Sequence, residues 1–458
     1  MRPILDLQNY LPEIRDQYER YPFPVRPPEL EATRLIVSEI DHLRKIDHHC
    51  FGGRRDFDQP MRILIAGGGT GDALIFLGEQ LRGKPTEFVF LDMSEASLCI
   101  AQDRAAARDL SNVTWVHGSL LELDPVDVGK FDYINCVGVL HHLSDPAEGL
   151  ARLESVLAPD GGMGLMLYGK YGRRRVYLIQ ELLSLLMPEP TGMEEQLAVA
   201  RGTLSSLIRE KVLGGGPGML ELIEDPVASS YLVDTYLHGQ DQAFSFSDID
   251  RLLKSCDLQL AGFTNFFDEQ GATCALEYDP LLFFSDPEQV ARVKQLPFAN
   301  RAHIAELLGS STSMHAFYTS RRSAAGATPM EQDLAPFSCT EYGRRAIDGI
   351  LAQGLSLVPI HLNCGVVKTV DIDDAARSVL RYVDQDISIG EIVQALAADG
   401  TPGQATNRVV PLIDLLVNLG LVTLRQKGLA RIALQRSTRP WNSAVDLRSF
   451  VKMAADAQ

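Results

Sequence analysis

The run Arg62-Ile63-Leu64-Ile65-Ala66 passes straight into Gly67-Gly68-Gly69-Thr70-Gly71, and Ala73, Leu74, Leu77 and Leu81 follow at helical spacing. An apolar run without alternation suits a strand buried on both faces of a parallel sheet. The turn after it needs glycine because the backbone bends sharply and a ligand must approach without a Cβ in the way. About twenty residues on, Phe88-Val89-Phe90-Leu91 forms a second apolar strand ending in Asp92, an acid placed to accept both hydroxyls of a nucleoside ribose. The glycine pattern is G-G-G-T-G rather than G-x-G-x-x-G, which disfavours a pyrophosphate-binding dinucleotide site. A ligand with a nucleoside and no phosphate fits better.

Three further segments extend this start. "NVTWVHGSLLEL" (112–123) reads as a third strand and turn, and "FDYINCVGVLHHLSDP" (131–146) as a fourth strand and loop. "LESVLAPDGGMGLMLYG" (153–169) reads as a helix, a turn and a fifth strand. With "IAGGGTG" and "FLDMS", these five ordered motifs resemble the class I S-adenosylmethionine-dependent methyltransferases. The resemblance implies an α/β fold: a Rossmann-like seven-stranded sheet whose last strand is antiparallel. It implies S-adenosylmethionine as cofactor, with Gly67, Gly68, Gly69 and Gly71 in the cofactor loop and Asp92 and Met93 at the ribose end. Ser119 and Leu120 would border the adenine, and Val137 would end the fourth strand beside the cofactor. The chain departs from the family in two places: Ile65 stands where many members carry an acid, and Ser119 where many carry aspartate.

Residues 245–267 supply a capped helix, with Ser247 as expected N-cap, and a sixth strand. "SMHAFYTSRR" (313–322) supplies the seventh. The methyltransferase domain is therefore expected over 61–325, interrupted at 171–244 and 268–312 by insertions that would act as a substrate lid. Before it, residues 1–60 are expected to form a helical cap. One helix should run from Ile4 to Tyr21, where Pro22, Pro24, Pro27 and Pro28 stop it, and another from Leu30 to Ile46. Asp47-His48-His49 reads as a solvated helix end.

Methyl transfer needs a positioned nucleophile and, for an oxygen or ammonium acceptor, a base. His141 and His142 follow the fourth strand at the edge where open α/β sheets bind ligands; packing or capping is the competing reading. Tyr168, ending the fifth strand, is a candidate for the acceptor pocket. Asp234 and His238, four apart, would share a helix face as an acid-oriented base or as a surface pair. His315 reads as structural; Arg173, Arg174 and Arg175 could bind an acidic acceptor, with a solvated helix start as the preferred reading. The catalytic candidates are thus His141, Tyr168, Asp234 and His238.

Residues 326–340 read as a linker and 341–458 as a second module. Helical patterns over 370–385, 388–399 and 409–420, then a strand, outline a winged helix. "SIGEIV" and "LGLV" resemble the peptide-binding winged-helix family of the PQQ-biosynthesis chaperone, and the module also resembles winged helices appended to some bacterial protein-lysine methyltransferases. The formal charge of −17 disfavours a polyanion partner. The acidity is uneven, however. Residues 341–458 hold 13 Lys and Arg against 12 Asp and Glu, and a basic cluster from Arg425 to Arg439 keeps DNA in view as a minority reading. The seven scattered cysteines form no C-x-x-C pair, which indicates neither a disulfide framework nor a zinc site. No apolar leader opens the sequence, and the uncharged stretch 349–367 reads as folded core rather than a membrane span. The expectation is a cytoplasmic methyltransferase acting on an oxygen or nitrogen of a small-molecule or peptide/protein acceptor. Nucleic acid and membrane are not expected as partners, and a homodimer stays open. A catalytically silent S-adenosylmethionine-binding regulator or scaffold is the alternative from another class.

Overall fold

Strand β1 (Met61–Ala66) buries Ile63 and Ile65 on one face and Leu64 and Ala66 on the other, as strand alternation requires of a central strand. The computed structural model describes residues 12–189, 191–213, 217–264, 275–321, 326–362, 364–397 and 402–434. Around β1 stand β2 (Thr86–Asp92), β3 (Val113–His117), β4 (Phe131–Val137), β5 (Leu157–Tyr168), β6 (Leu258–Thr264) and β7 (Met314–Arg321). Their order is β3-β2-β1-β4-β5-β7-β6. The first five run parallel, and β7 pairs antiparallel with both β5 and β6. This is the Rossmann-like sheet the motifs imply.

Helices cover both faces. Leu43–Cys50, Asp72–Gln80 and Glu95–Ala107 pack on the face of Ile63 and Ile65, whereas Pro146–Val156 and Phe246–Ser255 pack on the face of Leu64. Each fully buried Leu, Ile or Phe contributes roughly 1.5–3 kcal/mol. The N-cap of Phe246–Ser255 is Ser245, not Ser247. Ser245 and Asp248 form a reciprocal capping box, and the Phe246 amide donates to Glu306.

The N-terminal segment is less helical than its pattern. The described part of the first helix is Pro12–Arg20, and residues 4–11 lie outside the described residues. The expected helix from Leu30 to Ile46 breaks into a 3-10 turn (Pro28–Ala32), an extended stretch, a second turn (Glu39–Asp41) and the helix Leu43–Cys50. Tertiary partners override local propensity there. Glu31 is buried against Arg104 and Arg108, and Glu39 against Lys45. The Asp47-His48 end is not solvated either: Asp47 and His48 are 1% and 2% exposed.

Among the described residues, the insertion at 171–244 forms four α-helices, Arg174–Leu186, Met193–Arg209, Pro217–Glu224 and Ser229–Tyr236. They close on a core of their own that includes Leu183, Leu204 and Leu232. Beyond β7, part of the expected linker is β8 (Leu334–Ser338), buried at every position. Hairpin β9 (Leu357–His361) and β10 (Val367–Asp371) follows. Within the uncharged stretch, Ile350, Ile360 and Leu362 are buried, whereas Leu357 and Val367 are exposed on the hairpin. Helices Glu341–Gln353, Asp374–Tyr382, Ile389–Leu396 and Pro402–Asn418 pack on a separate core. The strand β11 (Val422–Gln426) then returns antiparallel to β8. Among the described residues, no helix is long and apolar enough to cross a membrane.

Candidate functional site

The turn after β1 is shaped by backbone that side chains reject. Gly67 has φ +70°, and a Cβ there would lie 2.4 Å from Val139. Gly69 has φ +52°, and a Cβ there would lie 2.7 Å from the Phe23 carbonyl oxygen. The Gly69 amide then donates to Asp92 Oδ2 at 2.7 Å, and the Ser94 amide to Oδ1 at 2.9 Å. Burial pushes the Asp92 pKa up, opposed by the amides of Ser94, Gly69 and Met93. A carboxylate has about four acceptor sites. Asp92 therefore keeps acceptor capacity toward a ribose.

Asp92 opens on a cavity of about 890 Å³ along the carboxyl ends of the strands. Gly67, Gly68, Gly69 and Met93 line it beside Asp92; Ser119 and Leu120 line it below β3, and Val137 at the end of β4. Gly71 is set back from the wall, with φ +103°, as N-cap of Asp72–Gln80. The Ser119 hydroxyl accepts the Leu121 amide at 3.2 Å, so it caps its own turn. The two arginines on the wall are matched. Arg26 holds Asp72 bidentately, and Arg173 meets Asp241 at 3.2 Å. Despite burial, Arg26 and Arg104 hold Asp72 down to about 2. With every arginine among the described wall residues matched by an acid, the cavity suits a nucleoside without phosphates.

Beyond β4 the cavity widens under the inserted helices, where Tyr168, Arg173, Tyr231, Asp234 and Tyr236 line it. Asp234 and His238 do not meet on one helix face. Ser229–Tyr236 ends before His238, and Tyr18 bridges the two. The Gln240 amide donates to His238 Nδ1 at 3.1 Å, which leaves the neutral ring's proton on Nε2. Nε2 donates to the Tyr18 oxygen at 3.2 Å, and the Tyr18 hydroxyl donates to Asp234 Oδ1 at 3.0 Å. The Tyr168 hydroxyl donates to Asp234 Oδ2 at 3.4 Å. Burial drives His238 down to about 2 and raises Asp234. His238 is thus a neutral donor, and Asp234 places a carboxyl group on the wall.

His141 stands behind this wall. It is 0% exposed and stacks 3.6 Å from the Tyr168 ring, and neither ring nitrogen has a hydrogen-bond partner among the described residues. His142 reaches the cavity instead, its ring 3.8 Å from that of His238. Arg173 is no solvated helix start: it is 8% exposed and lies 3.4 Å over the other face of Tyr168. His315 is wholly buried, bonded to Tyr278 and Phe244.

The N-terminal wall has no counterpart among the sequence expectations. Tyr18, Phe23, Arg26, Ser38 and Asp41 all line the cavity. Glu19 accepts the Glu95 and Ala96 amides, and the Thr70 hydroxyl donates to the Pro24 carbonyl. The prolines at 22, 24, 27 and 28 are the signal that could have found it: an extended run of that length must lie across something.

The sheet order and strand directions are those of the class I methyltransferase fold. Residues 64–163 match a family model described as a methyltransferase domain. An uncharacterized protein of Synechococcus sp. is 31% identical over 251 residues, 54% of this chain and 58% of that protein. Demethylmenaquinone methyltransferase of Deinococcus radiodurans is 34% identical over 107 residues, 23% of this chain and 43% of that enzyme. The chain thus spans less than two thirds of these relatives. PKMT2 from Rickettsia typhi, also solved in complex with AdoHcy, shares the fold at a TM-score of 0.57 and 14% identity, over 85% of this chain and 76% of that one.

Proposed function

We propose that the chain is an S-adenosylmethionine-dependent methyltransferase whose acceptor is a small molecule enclosed beneath the helices of 171–244. The observation that carries this reading is the continuity of one cavity. It runs from Asp92 to a lobe walled by Tyr18, Tyr168, Tyr231 and Tyr236. The described residues on its wall run from Ile14 to Met314, and none comes from 326–434. The aromatic lining is the reason a metabolite is inferred over a peptide, because small-molecule sites are concave and lined largely by aromatic and apolar side chains.

Bound S-adenosylmethionine would supply a methyl group already activated by its sulfonium. The chain's own residues then bind, orient and take a proton. Asp92 would hold the ribose, and the Gly67–Gly69 backbone would admit the cofactor closely. The Tyr18 and Tyr168 hydroxyls fix both oxygens of Asp234, leaving it aimed to accept the proton of an acceptor hydroxyl or amine. The aromatic walls would exclude water from the transfer. The AdoHcy bound by the Rickettsia protein and the methyltransferase relative from Deinococcus support the same cofactor.

Residues 334–434 fit a winged-helix-like docking or dimerising module, a reading supported by three helices leading into β11. A cytoplasmic setting accords with six free cysteines among the described residues. The test is to incubate the full chain with methyl-labelled S-adenosylmethionine and a cell extract. Label in the small-molecule fraction is expected; label confined to protein would replace the metabolite with a peptide or protein acceptor.

A further inference from the structure

Two acids in the turn before Leu43 have opposite surroundings. Glu39 is matched: the Lys45 ammonium lies 2.7 Å from Oε2 and the His42 ring 3.2 Å from Oε1. Despite burial, those neighbours hold it down to about 2. Asp41 is wholly buried, yet its side-chain partners among the described residues are all neutral. The Ser38 hydroxyl donates to Oδ2, the Asn135 amide donates to both oxygens at 2.8 and 3.0 Å, and the Tyr133 hydroxyl lies 3.3 Å from Oδ1. Burial pushes Asp41 up to about 6, so it is still mostly ionised at neutral pH. Ser38, Asp41 and Asn135 also line the cavity. A charge kept in a ligand cavity without a counter-charge points to a charged ligand group.

The sheet order says which group. Adenine beside Ser119 and ribose on Asp92 place a cofactor over the ends of β3 and β2. Its remaining end must then run along the order β3-β2-β1-β4, across Gly67 and toward β4. Ile65 of β1 pairs in register with Asn135 of β4, and Asn135 holds Asp41. Deepening the reading above and resting on it, we propose that Asp41, brought in from outside the glycine-turn motif and held by Ser38 and Asn135, is the counter-anion for the cationic amino group at the amino-acid end of the bound cofactor.

Calorimetry on the full chain tests this with three ligands. S-adenosylmethionine and S-adenosylhomocysteine carry that amino group, and methylthioadenosine lacks the whole amino-acid end. Asp41→Asn should weaken the first two at least tenfold and leave methylthioadenosine within twofold of wild type. Ser38→Ala, which changes no charge, should give a smaller loss in the same order. Asp41→Asn binding all three as wild type would overturn the inference alone, as would an equal loss for all three. Wild type binding none of them would overturn the cofactor reading and this inference with it.

Discussion

The carboxylate of Asp47 closes a buried ion pair on the guanidinium of Arg425, 378 residues further along the chain, with side chains 1% and 6% exposed. The helix Leu43–Cys50 thereby joins the two modules. His48 Nδ1 accepts the Leu424 amide at 3.0 Å, and Arg44 holds the Ile432 carbonyl and Asp384. The same helix follows closely on Asp41, so one short element touches both the cavity wall and β11.

Removing one partner of such a pair strands the other charge in the interior. Asp47→Ala should therefore cost about 3–5 kcal/mol, read as a fall in unfolding free energy by urea titration. Asp47→Leu with Arg425→Met should recover at least half of that loss. Equal stability of Asp47→Ala and wild type would show that the pair does not hold the modules together.

His141 is expected to be a packing residue. Its two ring nitrogens lack partners among the described residues in a site of 0% exposure, and an unsatisfied buried polar group costs about 1–3 kcal/mol. His141→Phe keeps an aromatic ring against Tyr168 and should raise stability by about 1 kcal/mol while leaving methyl transfer intact. Loss of transfer with cofactor binding unchanged would return His141 to the chemistry.

Acid should weaken the fold through His48. Burial lowers its pKa to about 4, against about 6.5 in an unfolded chain. Its contribution is complete above about 6.5 and is lost as pH falls toward about 4. Asp47, raised by burial to about 6, works the other way: its contribution is present below about 4 and lost as pH rises through 6. His48→Asn keeps an acceptor for Leu424 and removes the titration. Between pH 7 and pH 5, wild type should lose about 2 kcal/mol relative to this variant. Parallel pH profiles would refute the assignment.

The sheet and the cofactor edge were legible because their signals are contiguous. β1, the glycine turn and Asp92 each show in a few adjacent residues, and their order fixes the sheet. Partners far apart in sequence were not legible. Asn135 lies 94 residues from Asp41, and Asp234 lies 216 from Tyr18. Asp47 and His48 look solvated from their neighbours alone because Leu424 and Arg425, which cover them, leave no local trace. The helix start near 245 is ambiguous for a different reason. Ser245 and Ser247 each precede an aspartate by three residues, and the Phe246 amide's contact with Glu306, 60 residues on, supports the start at Ser245.

Calorimetric titration of the full chain with S-adenosylmethionine, run in parallel on Asp92→Ala, tests the central claim most directly. Asp92 would accept from the ribose, and its loss would remove charge-assisted hydrogen bonding worth about 1.5–3 kcal/mol per bond. The account predicts saturable one-to-one binding by wild type and affinity at least tenfold weaker in Asp92→Ala. Wild type that does not bind S-adenosylmethionine, or Asp92→Ala that binds it equally well, would contradict it.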